Sequence, residues 1–364
     1  MLTTTRKPQS DMQQLRRQFL AAKSEQKLRN RDAAAAIGVS EGEALAACVG
    51  AEAIRLLPNF VEIFEEVPQL GAVMALTRND NVVHEKDGQY EKMSHNGHVG
   101  LALGEAIDLR IFYKQWHFGC AVIEEIRRGN EISLQKSLQF YDLHGEAVHK
   151  VFLRDHSNHA AFDALVARWR DPEQLPGITV EPAPLPAIDK ADDEIDGDGF
   201  RAAWSNMQDT HEFFGLLRDF GVSRTQALRL APPQFVRQVD NSAARLILEQ
   251  AAASSLPIMV FVGNRGMIQI HSGPVFNIKL MGPWLNVLDA GFNLHLREDK
   301  IVSSWVVSKP TSDGEVTSLE LFDADGGTIA MLFGVRKPGQ PELPAWRAAA
   351  MNLPLLQAAV EVQA

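Results

Sequence analysis

The sequence contains very little cysteine. Among its 364 residues only Cys48 and Cys120 occur, which excludes a disulfide framework, and their separation does not fit a zinc-binding motif. We therefore expect both to be small buried apolar residues. Long apolar runs are absent as well, and without 18 consecutive apolar residues no segment is expected to cross a membrane. Residues 1–27 are polar and lack the apolar segment of a signal peptide, which favours a cytoplasmic protein.

Positive charge is also scarce. The chain carries 36 Lys and Arg residues against 46 Asp and Glu residues, a formal net charge of -10. This balance disfavours general binding to nucleic acid or to an anionic membrane, although a local basic pocket remains possible. The sequence has no GxGxxG, P-loop or GxSxG element, so nothing supports a nucleotide-binding protein or a serine hydrolase. The remaining composition, 45% hydrophobic and 23% charged, is typical of a soluble globular protein long enough for two domains.

The chain contains two copies of one unit. Residues 38–45 (GVSEGEAL) match residues 221–228 (GVSRTQAL) at an offset of 183. Residues 137–142 match residues 318–323 at an offset of 181. Further weak matches follow in the same order at nearly the same offset, which indicates an internal duplication.

The predicted domain boundaries follow from this duplication. Between the copies lies a segment with five prolines and an acidic run, a composition typical of linkers. In chain order we predict an N-terminal segment (1–25), a first repeat (26–170), a proline-rich acidic linker (171–199), a second repeat (200–350) and a C-terminal tail (351–364).

Each repeat is predicted to begin with helices, continue as a meander of strands and end in a short helix. In the first repeat, residues 51–66 are expected to be helical or partly so. Strands are expected from β-branched or alternating residues at 71–77, 106–113, 118–127, 134–142, 146–153, 257–263, 267–271, 275–281, 290–297, 300–307, 318–322 and 328–335. The class is therefore α+β, with a largely antiparallel sheet flanked by helices in each repeat.

One helix is predicted over residues 204–218, because no helix-breaking residue precedes Gly215. Large side chains and one histidine recur there at steps of three and four on one stripe, formed by Trp204, Met207, His211, Phe214 and Arg218. Two interpretations of His211 remain open. It is either a core histidine with hydrogen-bonded ring nitrogens or an imidazole aimed into an apolar slot, as an axial ligand of a flat metal cofactor requires.

The two copies differ at His211 and at Arg110. At the repeat offsets His211 lies opposite Leu28, and Arg110 lies opposite His295. Since each of these two residues occurs in one copy only, a single site is the simplest arrangement. For Arg110 the plainer interpretation is a salt bridge with Asp108 or with a neighbouring carboxylate. Solvated turn or loop positions are expected for the other histidines considered, His95, His98, His144, His156 and His159.

Three stretches resemble the haemin-degrading factor family of bacteria. They are residues 209–217 (DTHEFFGLL), residues 108–112 (DLRIF), and residues 292–299 (FNLHLRED) followed by 309–314 (KPTSDG). The resemblance covers nearly the whole chain, including the duplication and the linker. The chain departs from some members of the family at Thr210 and Glu212. Those members have further histidines next to the histidine that corresponds to His211.

The resemblance implies a cytoplasmic protein of haem uptake that receives haem after import by an ABC transporter. Its fold would be a pair of α+β halves with the haem site between them. Carried over by motif, His211 is the axial iron ligand and Arg110 lies on the distal side. Phe213 or Phe214 would flank the apolar slot, while Lys309 and Arg336 would lie near the haem propionates.

Two functions follow from this resemblance, and they use the same site. The protein is expected either to pass haem to a haem oxygenase or to open the macrocycle itself with an external electron donor, in which case Arg110 would act on a bound oxygen species. A third interpretation, from another class, is a haem-free regulatory or scaffold module. Monomer and dimer are both compatible with the sequence.

Overall fold

The computed structural model describes residues 9–128, 131–186, 188–336 and 339–357. Its contacts divide the chain into two compact units. Unit 1 consists of the described residues within Met1–Arg78, Glu85–Pro184 and Gly263–Gln269, and unit 2 of those within Asn79–His84, Leu185–Val262 and Ile270–Ala364. Each unit thus includes a short segment from the other half of the sequence, and the repeat boundaries at 26–170 and 200–350 stay predictions. Residues 1–8 of the predicted N-terminal segment and 358–364 of the predicted tail lie outside the described residues.

The first half of the chain alternates short helices with a meander of strands. The helices are α1 (Gln9–Glu25), α2 (Asn30–Ala36), α3 (Glu41–Ala46), α4 (Phe60–Glu66) and α5 (His159–Trp169). The strands are β1 (Ala53–Arg55), β2 (Val73–Arg78), β3 (Val82–Gly88), β4 (Met93–Asn96), β5 (Val99–Leu103), β6 (Asp108–Phe112), β7 (Phe118–Arg128), β8 (Glu131–Tyr141) and β9 (Ala147–Leu153).

The second half repeats this order of elements. Its helices are α6 (Gly197–Ser205), α7 (Glu212–Phe220), α8 (Arg224–Leu230), α9 (Ala243–Ser254) and α10 (Pro344–Met351). Its strands are β10 (Val236–Val239), β11 (Ile258–Gly263), β12 (Met267–Gly273), β13 (Ile278–Met281), β14 (Trp284–Asp289), β15 (Phe292–Arg297), β16 (Ser303–Lys309), β17 (Val316–Phe322) and β18 (Thr328–Gly334). Within the described ranges, no helix is both long and apolar enough to cross a bilayer.

Strand order repeats from one unit to the other. In unit 1, β1, β7, β8, β9 and β2 lie side by side in that order, each antiparallel to its neighbour. In unit 2, β10, β16, β17, β18 and β11 do the same. The pairing register shifts at Phe140/Tyr141 in one unit and at the matching Leu321/Phe322 in the other. The predicted α+β duplication with antiparallel sheets is confirmed.

Helices pack on both faces of each set of five strands. Neighbouring strand residues point to opposite faces, and in unit 2 Val306 belongs to the core under α9 and α10, whereas Val307 belongs to the core under α6, α7 and α8. In unit 1, Ala121 and Val122 divide in the same way between the cores under α4–α5 and under α1–α3. Cys120 lies in the latter core, and both cysteines are free and buried, as predicted.

The repeated Gly-Val-Ser motif has a local structural role. Gly38 and Gly221 adopt positive φ angles of 75° and 63°, a conformation that favours glycine after a helix. Two residues later, Ser40 and Ser223 cap α3 and α8 by accepting a backbone N–H with their side chains. The motif therefore places α8 at the same point of unit 2 as α3 occupies in unit 1.

The prediction of one helix over residues 204–218 is wrong. Helix α6 ends at Ser205 and α7 begins at Glu212. Between them, the Asp209 carboxylate accepts the backbone N–H of His211 at 2.9 Å, and the Glu212 carboxylate accepts that of Gln208 at 3.2 Å. Short polar side chains that bond nearby backbone groups compete with helix formation, so the segment turns here.

Other local predictions were incomplete. Residues 51–66 are helical only in part: Phe60–Glu66 forms an α-helix, whereas Ala53–Arg55 pairs as a strand that the sequence did not predict. Five further strands, β3, β4, β5, β10 and β14, were not predicted. Several of them are short or polar, and their sequences alone show little of the alternation that identifies a strand.

Candidate functional site

His211 stands at the N-terminal end of α7, where it is the N-cap residue. Its side chain is 93% exposed, and its Nδ1 lies 2.6 Å from Oδ1 of Asp209. The same carboxylate oxygen accepts the backbone N–H of His211, and the two contacts lower the pKa of Asp209. An ionised carboxylate can only accept, so Nδ1 donates, and whenever the ring is neutral it is Nε2 that carries the lone pair. This is the state in which an imidazole binds a metal.

The break before α7 changes which side chains face the core. Phe213 and Leu216 are buried, whereas Phe214 is 78% exposed. The predicted stripe through Trp204, Met207, His211, Phe214 and Arg218 is therefore wrong, because only its first two members are buried. The core-histidine interpretation is wrong for the same reason. Phe214 lies in a shallow, largely apolar depression that is also lined by Ile188, Leu217 and Val222.

A buried ion triad lies beside α7 in unit 2. The Glu320 carboxylate accepts from Lys309 Nζ at 2.8 Å, and from Arg224 Nε and Nη2 at 2.7 and 2.9 Å. Burial raises the pKa of Glu320, but the two cations outweigh this and hold its pKa well below the usual range. The Phe213 ring lies under both cations, 4.5 Å from Lys309 Nζ and 5.1 Å from Arg224 Cζ.

An apolar floor adjoins this triad. On paired strands β11 and β18, Met259 lies opposite Phe333 and Phe261 lies opposite Met331. All four side chains are only partly buried, and the rings of Phe261 and Phe333 are 4.9 Å apart. Met331 is also the cross-strand neighbour of Glu320, and its Sδ lies 3.2 Å from Arg224 Nη2. Unit 2 thus places a half-open apolar surface next to paired cations.

Arg336 and the loop after β16 lie near the segment that carries His211. Arg336 Nη2 is 3.5 Å from Oδ2 of Asp313, and its charge contributes to the lowered pKa of Asp209. The backbone N–H of Ser312 donates to the carbonyl of Gln208 at 2.9 Å. The Ser312 bond holds the segment that carries His211 against the loop that follows Lys309.

Arg110 lies in unit 1, on the short strand β6. Its Nη1 pairs with the Asp108 carboxylate and donates to the Leu109 carbonyl at 3.2 Å. The side chain remains 35% exposed. The salt bridge considered from the sequence is therefore present, and a distal role for Arg110 stays a prediction.

Several residues of this region were not singled out from the sequence. They are Arg224, Glu320 and the four side chains of the apolar floor. The floor had a detectable signal, because β11 and β18 carry apolar residues on both faces and the second face therefore needs a cover. The triad had no such signal in the sequence. Arg224 is distant in sequence from Lys309 and Glu320, and a turn separates Lys309 from Glu320.

Comparison with protein families gives one match that occurs twice. A family model described as the haemin-degrading HemS.ChuX domain matches residues 38–169 and again residues 221–353. Among curated proteins, the hemin transport protein HmuS of Yersinia pestis is 40% identical over 336 residues, which covers 92% of this chain and 95% of HmuS.

Two solved structures are similar over nearly the whole chain. Holo-PhuS, a heme-binding protein from Pseudomonas aeruginosa, has a TM-score of 0.91 and 45% identity, covering 95% of this chain and 99% of PhuS. The heme degrading enzyme ChuS of Escherichia coli O157:H7 has a TM-score of 0.87 and 36% identity, covering 94% of this chain and 99% of ChuS. The likeness therefore extends over both copies of the repeat.

Proposed function

The chain belongs to the haemin-degrading HemS.ChuX domain family, and on this basis we propose that it binds haem and passes it on in haem utilisation. His211 is the proposed axial ligand of the haem iron. One observation carries this assignment: an exposed imidazole with Nδ1 held by a carboxylate at 2.6 Å. Such a carboxylate orients a metal-binding histidine and increases the basicity of its free nitrogen.

The side chains of unit 2 fit the chemistry of haem, a flat apolar disc with two carboxylates. Met259, Phe261, Met331 and Phe333 offer a half-buried apolar surface for the disc. Arg224 touches Met331 at the edge of that surface, and we add it to Lys309 and Arg336 as a cation assigned to the propionates. Phe214, which is largely exposed, is assigned to cover the edge of the bound disc.

Lys309 can contact a propionate only under one condition. Its ammonium is buried and bound to Glu320, so a propionate would have to share the cation with that carboxylate. Arg336 is more available, because its contact with Asp313 is longer, at 3.5 Å. We therefore assign the stronger propionate contact to Arg336.

Transfer of intact haem is the first function we propose, and oxidative opening of the ring is the second. HmuS is named a hemin transport protein, and PhuS a heme-binding protein. ChuS, at lower identity, is named a heme degrading enzyme. In the second case Arg110 would exchange its bond to Asp108 for a bond to an oxygen species on the iron.

The partners in this proposal are a haem oxygenase that accepts haem and the ABC importer that supplies it. The proposed location is the cytoplasm, where both partners would meet the protein. These three assignments rest on the family resemblance alone.

A single assay separates the two functions. The haem complex is mixed with ascorbate under air, with a trap that captures any carbon monoxide released and with or without catalase, and the Soret band is followed. We expect a stable complex that loses its haem only when a haem oxygenase is added. Catalase-insensitive loss of the Soret band with an open-chain product would instead establish degradation.

A further inference from the structure

Three turns of unit 1 gather basic side chains around one small cavity. The turn after β6 contributes Lys114 and His117, the β8–β9 turn contributes His144, and the β11–β12 turn contributes Arg265. The cavity has a volume of about 150 Å³ and is completed by Gln115, Trp116, Asp142 and Leu143. It lies in unit 1, whereas the residues assigned to the haem iron and propionates lie in unit 2.

Buried and part-buried hydrogen bonds fix the turn that carries Arg265. The Asn264 amide donates to the carbonyls of Val148 and Arg78 at 2.8 and 3.0 Å. The Trp116 indole N–H donates to the carbonyl of Gly266 at 3.0 Å. Arg265, between these two anchored residues, therefore leaves the backbone at a fixed point beside the turn of Lys114.

Polar contacts inside the cavity leave its cations available. His144 Nδ1 donates to the carbonyl of Glu181 at 3.0 Å, so its Nε2 accepts from Arg265 Nη1 at 3.4 Å, a bond that uses one of the five N–H groups of this guanidinium. The Asp142 carboxylate is turned into its own hairpin, where Oδ1 accepts the backbone N–H groups of His144 and Glu146 at 2.8 and 2.9 Å.

The cavity is positively charged in an acidic protein. Lys114 and Arg265 carry two permanent charges against the single carboxylate of Asp142. Among the described residues neither cation has an ion pair, although the chain as a whole carries a net charge of -10. Like charges that line one small cavity repel one another, and an anion between them offsets that repulsion.

We propose that this cavity binds a small tetrahedral oxyanion of the phosphate class. Its side-chain donors come from two separate turns, Lys114 and His117 from one and Arg265 from the other, which suits oxygens that point in several directions. A carboxylate presents only two coplanar oxygens and would leave part of this donor set unused. The cavity is large enough for one such group and too small for a nucleotide.

The test uses the full-length protein and inorganic phosphate as the probe. Phosphate is titrated at constant ionic strength, with chloride as the balancing anion, and binding is followed by the ³¹P line width. Arg265→Gln is the test variant and Lys114→Gln the second. Arg17→Gln, an exposed arginine of α1 that does not line the cavity, is the matched control.

We expect saturable binding to the wild type and to Arg17→Gln, and at least about tenfold weaker binding to Arg265→Gln and to Lys114→Gln. This factor corresponds to the loss of one charge-assisted hydrogen bond. No saturable binding to the wild type, or equal affinity in all variants, would overturn the proposal. Equal competition by acetate would overturn the phosphate class. Haemin binding by Arg265→Gln is expected to be unchanged, because the proposed haem contacts lie elsewhere.

Discussion

Replacing Glu320 by glutamine removes the only carboxylate of the buried triad while keeping the shape of the side chain. Glu320 is fully buried and accepts from Lys309, from Arg224 twice and from Ser318. Glutamine offers one acceptor and no charge, so two buried cations would face each other without a counterion.

The structure sets the size of the expected effect. Removing one member of a buried ion pair costs about 3–5 kcal/mol, because the remaining charge is left uncompensated. The Arg224 side chain is 20% exposed and can turn partly to water, whereas that of Lys309 is 5% exposed. We therefore expect Glu320→Gln to lower the free energy of unfolding by about 3 kcal/mol, the lower end of that range.

Urea unfolding followed by tryptophan fluorescence measures this loss, with Trp204 as a buried reporter in unit 2. The matched control is Glu315→Gln. Glu315 pairs with Arg347 at 3.0 Å, but the two side chains are 41% and 40% exposed, so its loss is expected to cost at most about 1 kcal/mol. If Glu320→Gln were no more destabilising than Glu315→Gln, the triad would not contribute as argued.

Three further predictions use other parts of the chain. Asp209→Asn is expected to weaken haemin affinity about 10–100-fold, because His211 loses the carboxylate that orients it; a Soret titration measures this, and unchanged affinity would contradict it. Burial raises the pKa of Glu41 but two buried cations lower it to about 2, so about 3 kcal/mol of stability is present at neutral pH and lost as pH falls from about 4.5 towards 2. Acid unfolding of Glu41→Gln should lack this loss, and an unchanged pH profile would refute the linkage. Tyr90→Phe removes the partner of His149 Nε2, 2.6 Å away, and is expected to cost about 1–3 kcal/mol in urea unfolding; a neutral effect would show that this bond contributes nothing net.

The duplication was predictable because its signals are local. The Gly-Val-Ser motif recurs at residues 38 and 221 since each copy ends a turn with a positive φ and then caps a helix. Strands such as β7 and β16 were predicted near their observed positions because their apolar residues are dense enough to show a pattern.

The details of the site were less predictable because they depend on side-chain competition and on distant contacts. Asp209 bonds the backbone of His211 and interrupts the predicted helix, which turns Phe213 rather than Phe214 to the core. Glu320 meets Arg224 across 96 residues of sequence. A contact between residues so far apart leaves no periodic pattern in the sequence. The family resemblance could therefore identify Lys309, but not its buried partner Glu320.

The most direct test of the central claim is a haemin titration followed in the Soret region on wild type, His211→Ala and His156→Ala. His156 is an exposed histidine of unit 1 and controls for nonspecific binding by surface imidazoles. We predict saturation at one haem for the wild type and for His156→Ala, and weaker binding or a shifted Soret band for His211→Ala. An unchanged spectrum and affinity in His211→Ala would contradict the assignment of the iron ligand, and no binding by the wild type would contradict the proposed function itself.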